Sequence, residues 1–102
     1  MNKLRGITML AVIVGISTSA LAAGDITAGK TRAANCAGCH GAAGISNNPA
    51  WPNLAGQQVG YLEKQMKKFR SGQRNDPLMG PMAKSLSDAD IKNLAAYYSS
   101  LK

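Results

Sequence analysis

The C-terminal part of the chain has the apolar pattern of an amphipathic helix. Apolar residues recur every three or four positions, at Ile91, Leu94, Ala95, Tyr98 and Leu101. Ser87, directly before this stretch, is a favourable N-cap. Asp88 and Asp90 would lie in the first turn, where the positive end of the helix dipole favours acidic side chains. The pattern therefore predicts a helix that begins after Ser87 and buries one face.

Two further helices are predicted upstream. From Tyr61 to about Ser71, Leu62, Met66 and Phe69 form an apolar stripe with basic residues mainly outside it. Met66 is therefore interpreted as a core residue. A shorter helix is predicted to open at Asp25-Ile26-Thr27, with Gly29 and neighbouring alanines small enough for another helix to approach closely.

The segments between these helices are predicted to be loops. Residues 41–53 are rich in Gly, Asn and Pro, and residues 71–85 are interrupted by two glycines and two prolines. No segment alternates strongly enough to require a strand. We therefore expect an all-α fold of three helices and two long loops. Loops of this length are unusual in so small a domain unless they cover something.

The N-terminus predicts an exported protein. Lys3 and Arg5 precede a short apolar run at 7–16, and Ala20-Leu21-Ala22 has the small-x-small pattern of a signal-peptidase site. A retained membrane anchor is the alternative, but the apolar run is short for a bilayer span. We expect residues 1–22 to be a cleaved signal peptide, residues 23–102 to be a single domain, and the location to be the periplasm, with no transmembrane span after cleavage.

Composition narrows the possible functions. The chain has 102 residues, 45% hydrophobic and 17% charged, which fits one small folded domain rather than a disordered segment. Residues 23–102 keep 10 of the 12 basic residues and all 5 acidic ones, a net charge of about +5. A domain of this size usually needs a disulfide, metal or cofactor to complete its core. Export disfavours nucleic acid as the partner of this basic chain.

One pentapeptide contains both cysteines and the histidine of the chain. Cys36-Ala37-Gly38-Cys39-His40 has the C-x-x-C-H spacing of covalent c-type haem attachment. On a helical turn both thiols project on one face toward the two vinyl groups of a haem, and His40 can ligate the iron. Three alternatives are weaker. A thioredoxin-like pair would need a βαβ context, a disulfide across this gap would stabilise little, and a zinc site would lack its fourth ligand.

The residue types in the chain also restrict which side chain could be the sixth ligand of the iron. His40 is the single histidine of the chain, so bis-histidine ligation within one chain is impossible. The position is either open or filled by a methionine thioether. Outside the signal peptide the candidates are Met66, Met79 and Met82, and spacing alone does not choose between Met79 and Met82.

These motifs together resemble the class I cytochromes c. The similarity is to the small bacterial c-553 type and to the single-haem halves of dihaem cytochromes c, and it covers essentially residues 24–102. Beside the haem motif it is carried by Gly24-Asp25-x-x-x-Gly29-Lys30, by Pro52-Asn53-Leu54-Ala55-Gly56-Gln57, by Asp76-Pro77-Leu78-Met79-Gly80-Pro81-Met82 and by Leu94-Ala95-Ala96-Tyr97-Tyr98.

The resemblance implies a small cytochrome c fold around one haem c, attached through Cys36 and Cys39. It also implies that the Pro52 carbonyl accepts a hydrogen bond from the His40 ring, that Leu54 packs on the haem face, and that Gly29 meets the C-terminal helix near Tyr97. In the family the sixth ligand usually lies seven residues before the leucine at position 86. Met79 is therefore the expected partner of His40 on the iron, with Met82 as the second candidate.

The function implied is that of a monohaem electron carrier of a respiratory chain and not of an enzyme. Redox proteins with acidic docking surfaces, either membrane oxidases and reductases or soluble enzymes, are the expected partners of a basic cluster at Lys64, Lys67, Lys68, Arg70 and Arg74. Two alternatives remain open. The chain could be a haem subunit of a larger oxidoreductase complex, or a haem protein with a labile sixth ligand that acts in catalysis or gas sensing.

Overall fold

Residues 23–102 are described by a computed structural model, and this part of the chain contains helices and no strand. The α-helices are α1 (Ile26–Arg32), α2 (Ala37–His40), α3 (Val59–Ser71), α4 (Met79–Lys84) and α5 (Asp88–Ser100), and a 3₁₀ turn, Ala33–Asn35, joins α1 to α2. The three predicted helices correspond to α1, α3 and α5, so the all-α prediction is confirmed. The predicted signal peptide, residues 1–22, lies outside the described residues.

Helix α1 packs directly against α5. The Asp25 side chain caps α1 by accepting a hydrogen bond from the Ala28 N–H at 3.1 Å, and its own N–H donates to Asn93 Oδ1 on α5 at 2.8 Å. Gly29 is buried against the same stretch of α5. A Cβ at this position would lie 2.0 Å from the Asn93 carbonyl oxygen and 2.8 Å from the Tyr97 Cβ. The expected close approach of Gly29 to α5 near Tyr97 is therefore confirmed.

Helix α5 forms the centre of the core. Ser87 and Asp90 make a reciprocal capping box, each side chain accepting the other's backbone N–H at 3.0 Å, which fixes the start of the helix at the predicted place. The buried face consists of Ile91, Leu94, Ala95, Tyr97 and Tyr98. Leu101, the last residue of the predicted stripe, lies just past the helix end and is half-buried.

Helix α3 packs against both α4 and α5 and begins at Val59, two residues before the predicted start. Leu62 and Phe69 are buried along its inner face, and Met66 is half-buried against the same core, as expected for a structural residue. The helix ends at Gly72, whose φ of 85° is the left-handed conformation that glycine adopts without strain.

The predicted loop at 71–85 is wrong for its second half, because α4 lies within it. The reason is the Asp76 carboxylate, whose Oδ1 accepts hydrogen bonds from the backbone N–H groups of Leu78 and Met79, both at 2.8 Å. This contact satisfies donors that a helix start leaves without intrahelical partners. Pro81 is the third residue of α4, where its missing N–H costs no intrahelical bond. The other predicted loop, 41–53, is free of helix in the structure.

Candidate functional site

The C-x-x-C-H motif folds as a single helical turn. Cys36 is the N-cap of α2, and its carbonyl accepts the N–H groups of Cys39 at 3.2 Å and of His40 at 3.0 Å. The turn ends at Gly41, where φ is 89° and where a Cβ would lie 1.9 Å from the Ile45 carbonyl oxygen. Glycine is therefore required for the chain to reverse directly after His40. This reversal brings the following loop back over the histidine.

The His40 ring is held in one orientation. The residue is buried, with 7% of its surface exposed, and its Nδ1 lies 2.8 Å from the Pro52 carbonyl oxygen. A carbonyl can only accept, so in this contact Nδ1 carries the proton, and in the neutral ring Nε2 keeps its lone pair. A histidine fixed in this way presents Nε2 as a metal ligand with raised basicity. The hydrogen bond expected from the family resemblance is present.

Pro52 is positioned by a network of hydrogen bonds within its own loop. The Gly44 carbonyl accepts the N–H groups of Leu54 at 2.8 Å and Ala55 at 3.0 Å. Ser46 donates its backbone N–H to Asn53 Oδ1 at 2.7 Å and its hydroxyl to the Cys39 carbonyl at 3.2 Å. The residues that follow Pro52 are therefore bonded to Gly44 and Ser46, and Ser46 is bonded in turn to the motif helix. Leu54 is half-buried against the core of α5, next to this anchor.

The two cysteines are free thiols in different surroundings. Cys36 is half-buried against the core, and Cys39 is exposed. Burial raises the pKa of the Cys36 thiol, while a hydrogen bond with Tyr98 and the nearby charge of Arg32 act in the opposite direction. Burial also raises the pKa of the Tyr98 hydroxyl, and the neighbouring Cys36 adds to this shift. Tyr98 therefore stays protonated, and Cys36 packs against the core cluster to which Tyr98 belongs.

The candidate methionines lie in distinct environments. Met79 is the first residue of α4, half-buried, with its backbone N–H fixed by Asp76. Met82 lies one turn further on and is 41% exposed. Met66 is on α3, packed against the core cluster. Asp76 belongs to the 76–82 motif of the family resemblance, but its hydrogen bonds to the backbone were not predicted from the sequence. An Asp followed by Pro is a known signal for a side chain that bonds to the backbone two residues on.

The predicted basic cluster divides into two groups. Arg70 bonds to the Leu86 carbonyl and pairs with Asp88, and Arg74 lies 4.4 Å from the centre of the Phe69 ring. These two arginines have internal structural contacts. The lysines at 64, 67 and 68 share one side of α3, since they are spaced by three and four residues, and line an open groove on its surface. We call these three residues the α3 lysine face.

The donor set fits a covalently attached haem. Two free thiols three residues apart on one helical turn and an oriented imidazole next to them are the groups that thioether attachment and axial ligation need. Among residues 23–102 no cluster of three or more His, Cys, Asp or Glu side chains could hold a metal ion by itself. Within the same residues no helix is long and apolar enough to cross a membrane.

Comparison with known proteins identifies the family. The cytochrome c family profile matches residues 26–102. Over 81 residues the chain is 51% identical to cytochrome c-554(548) of Halomonas halodenitrificans, an alignment that covers 76% of this chain and 98% of that protein. Over 102 residues it is 44% identical to cytochrome c4 of Pseudomonas aeruginosa, covering all of this chain and 50% of that protein. The chain belongs to the cytochrome c family.

The structural comparison agrees with this assignment. The fold matches the crystal structure of reduced recombinant cytochrome c4 from Pseudomonas stutzeri with a TM-score of 0.75 and 40% sequence identity. The match covers 78% of this chain and 47% of that one. The chain thus spans about half the length of the cytochrome c4 proteins and nearly the whole of the c-554(548) protein.

Proposed function

We propose that the chain is a periplasmic carrier of single electrons within a respiratory chain. It holds one haem c through Cys36 and Cys39, with His40 and Met79 as the axial ligands. The observation that carries the proposal is the His40–Pro52 hydrogen bond, because it leaves Nε2 free beside two free thiols. When bound, the haem iron supplies the redox chemistry by alternating between the ferric and ferrous states.

The residues around the motif explain how this chain would support that chemistry. Pro52 fixes the imidazole, so His40 needs no reorientation when the charge of the iron changes. A methionine at the sixth position leaves no open site for dioxygen or peroxide. Asp76 sets the backbone of Met79, and Met82, which is more exposed, would line the pocket. Thioether ligation favours the ferrous state, so we expect a positive midpoint potential.

The sixth ligand is tested by two matched substitutions. The protein is expressed with haem maturation in a bacterial periplasm, and spectra of the oxidised form are compared for the wild type, Met79→Leu and Met82→Leu. We expect Met79→Leu to lose the methionine–iron charge-transfer band and to bind added imidazole readily, while Met82→Leu keeps the band. The opposite result would assign the ligand to Met82. An absent band in the wild type would favour the labile-ligand alternative.

We further propose that the α3 lysine face docks on acidic surfaces of redox partners. Clustered charge of one sign accelerates encounter and allows short-lived complexes.

The test is oxidation of the reduced protein by membranes of its native host at different ionic strengths. Lys64→Glu/Lys67→Glu should slow this oxidation about tenfold at low salt. Lys30→Glu/Lys102→Glu, with the same change in net charge, should slow it much less. Equal effects of both variants, or rates independent of salt, would contradict docking at this face. Stable co-purification with a larger enzyme would instead favour the role of a complex subunit.

A further inference from the structure

The link between α4 and α5 is held by two arginines from distant parts of the chain. Arg32, at the end of α1, donates from its terminal nitrogen to the Ser85 carbonyl at 3.0 Å. Arg70, near the end of α3, donates to the carbonyl of the next residue, Leu86, at 3.1 Å. Two consecutive carbonyls that follow α4 thus accept charge-assisted hydrogen bonds from two different helices. Such bonds are stronger than those between neutral groups.

Each guanidinium also contacts an acidic residue in the first turn of α5. Arg70 pairs with Asp88, with 2.6 Å between the terminal nitrogen and Oδ1. Arg32 Nε lies 3.5 Å from Asp90 Oδ2, the same oxygen that accepts the Ser87 N–H in the capping box. Ion pairs this exposed contribute little by themselves. Each guanidinium thus contacts both a link carbonyl and an acidic side chain of α5.

Helix α4 depends on contacts at its two ends. It has six residues, far too few for an isolated helix to be stable in water. Asp76 bonds to the backbone at its start, and the two arginines bond to the residues that follow its end. Ala83, the next-to-last residue of the helix, is completely buried and anchors it to the core. Met79 is the first residue of this short helix, so any movement of α4 away from α3 moves Met79 as well.

Arg32 also connects the two sides of the candidate haem site. It lies four residues before Cys36, in the segment that leads directly into the attachment motif. Its contact with Ser85 joins residues 53 positions apart in the chain. Among the contacts described above for α4, this one is made by the segment that lies directly before Cys36 in the chain. Arg70 holds the adjacent carbonyl from α3, so the two contacts restrain the link from different directions.

We propose that Arg32 and Arg70 are positioning residues for the sixth iron ligand. By holding the Ser85–Leu86 link they set how often α4 moves away and releases the Met79 thioether. The inference rests on the proposed function, since it requires Met79 to bind the iron. Local opening of this kind is distinct from global unfolding, because short segments with few buried contacts open at lower free energy than the core.

The experiment measures opening directly in the ferric holoprotein. Imidazole at saturating concentration displaces the methionine at a rate limited by release of the thioether, followed by stopped-flow absorption. Arg32→Gln and Arg70→Gln should each raise this limiting rate at least tenfold. Arg32→Lys, which keeps a charged donor, should raise the displacement rate less than Arg32→Gln does. Arg74→Gln is the matched control, because Arg74 bonds to Gln65 and stacks on Phe69 without contacting the link. It should stay within twofold of the wild type.

Three results would decide the matter. Faster displacement in both Gln variants with an unchanged control supports the proposal, whatever their thermal stability. Lower melting temperatures with an unchanged displacement rate would overturn it, since the arginines would then act on stability alone. An equal rise in Arg74→Gln would overturn it as well. Met79→Leu separates this failure from failure of the proposed function: if that variant keeps the methionine–iron band, the ligand assignment itself is wrong.

Discussion

The crossing of α1 and α5 at Gly29 offers the sharpest test of how the fold supports the attachment motif. Gly29→Ala adds one methyl group at a point where α5 backbone is already in contact. The built Cβ lies 2.0 Å from the Asn93 carbonyl oxygen and 2.6 Å from its carbon. Both neighbours are helix backbone, so neither can rotate away as a flexible side chain would.

The size of the effect follows from these distances. An ordinary contact begins near 3.4 Å, so α1 and α5 would have to separate by about 1.4 Å at the crossing. Overpacking a tight interface typically costs about 1–3 kcal/mol. Alanine gains about 1 kcal/mol over glycine in helix propensity, which offsets part of this cost. Because the neighbours here are backbone, we expect an overpacking cost of about 3 kcal/mol, at the upper end of that range. Subtracting the gain in helix propensity leaves a net loss of about 2 kcal/mol.

The assay is thermal unfolding of the holoprotein, followed by circular dichroism. In a domain of this size about 1 kcal/mol corresponds to a shift of about 4–8 °C, so Gly29→Ala should lower the midpoint by about 10 °C. Gly60→Ala is the matched control, since Gly60 is also helical but a Cβ there meets nothing within 4 Å. It should raise the midpoint slightly. Equal stability of the two variants would refute the close helix crossing.

Further predictions concern the start of α5. Ser87→Ala removes one half of the capping box and should destabilise the protein by about 1 kcal/mol, measured by denaturant unfolding, whereas Ser87→Asp should restore most of the loss. The pKa values of Asp88 and Asp90 are lowered, for Asp88 by its hydrogen bond with Arg70 and for Asp90 by the Ser87 N–H. Because these pKa values are lower in the folded than in the unfolded protein, the stabilisation is complete above the ordinary Asp pKa, near 4, and is lost as the pH falls through the folded values. The unfolding midpoint should thus decline below pH 4, and less steeply in Asp88→Asn; an identical decline would contradict this origin.

Local signals in the sequence were enough to locate the long helices. The start of α5 depends on Ser87 and Asp90, three residues apart in the chain, and its buried face follows from side-chain spacing alone. Helix α4 was missed because its residues, which include Gly80 and Pro81, are typical of a loop. Its start depends on the Asp76 side chain, which bonds to the backbone of two later residues.

The candidate site could be predicted only in part from the sequence, because some of its contacts join residues that are distant in the chain. The spacing of Cys36, Cys39 and His40 is local, so the motif could be recognised directly. The Pro52 contact came from resemblance to the family, since nothing in the spacing of 12 residues fixes that carbonyl on the ring. The Arg32–Ser85 contact spans 53 residues and depends on how α1 packs against α5, which no local pattern specifies.

The most direct test of the central proposal is the intact mass of the protein purified from the periplasm of a haem-maturing host, measured after acid denaturation and treatment with a thiol-alkylating reagent. The account predicts a chain that lacks residues 1–22, carries the mass of one haem, and takes up no alkylating reagent at Cys36 or Cys39. A colourless chain with both thiols alkylated would contradict it.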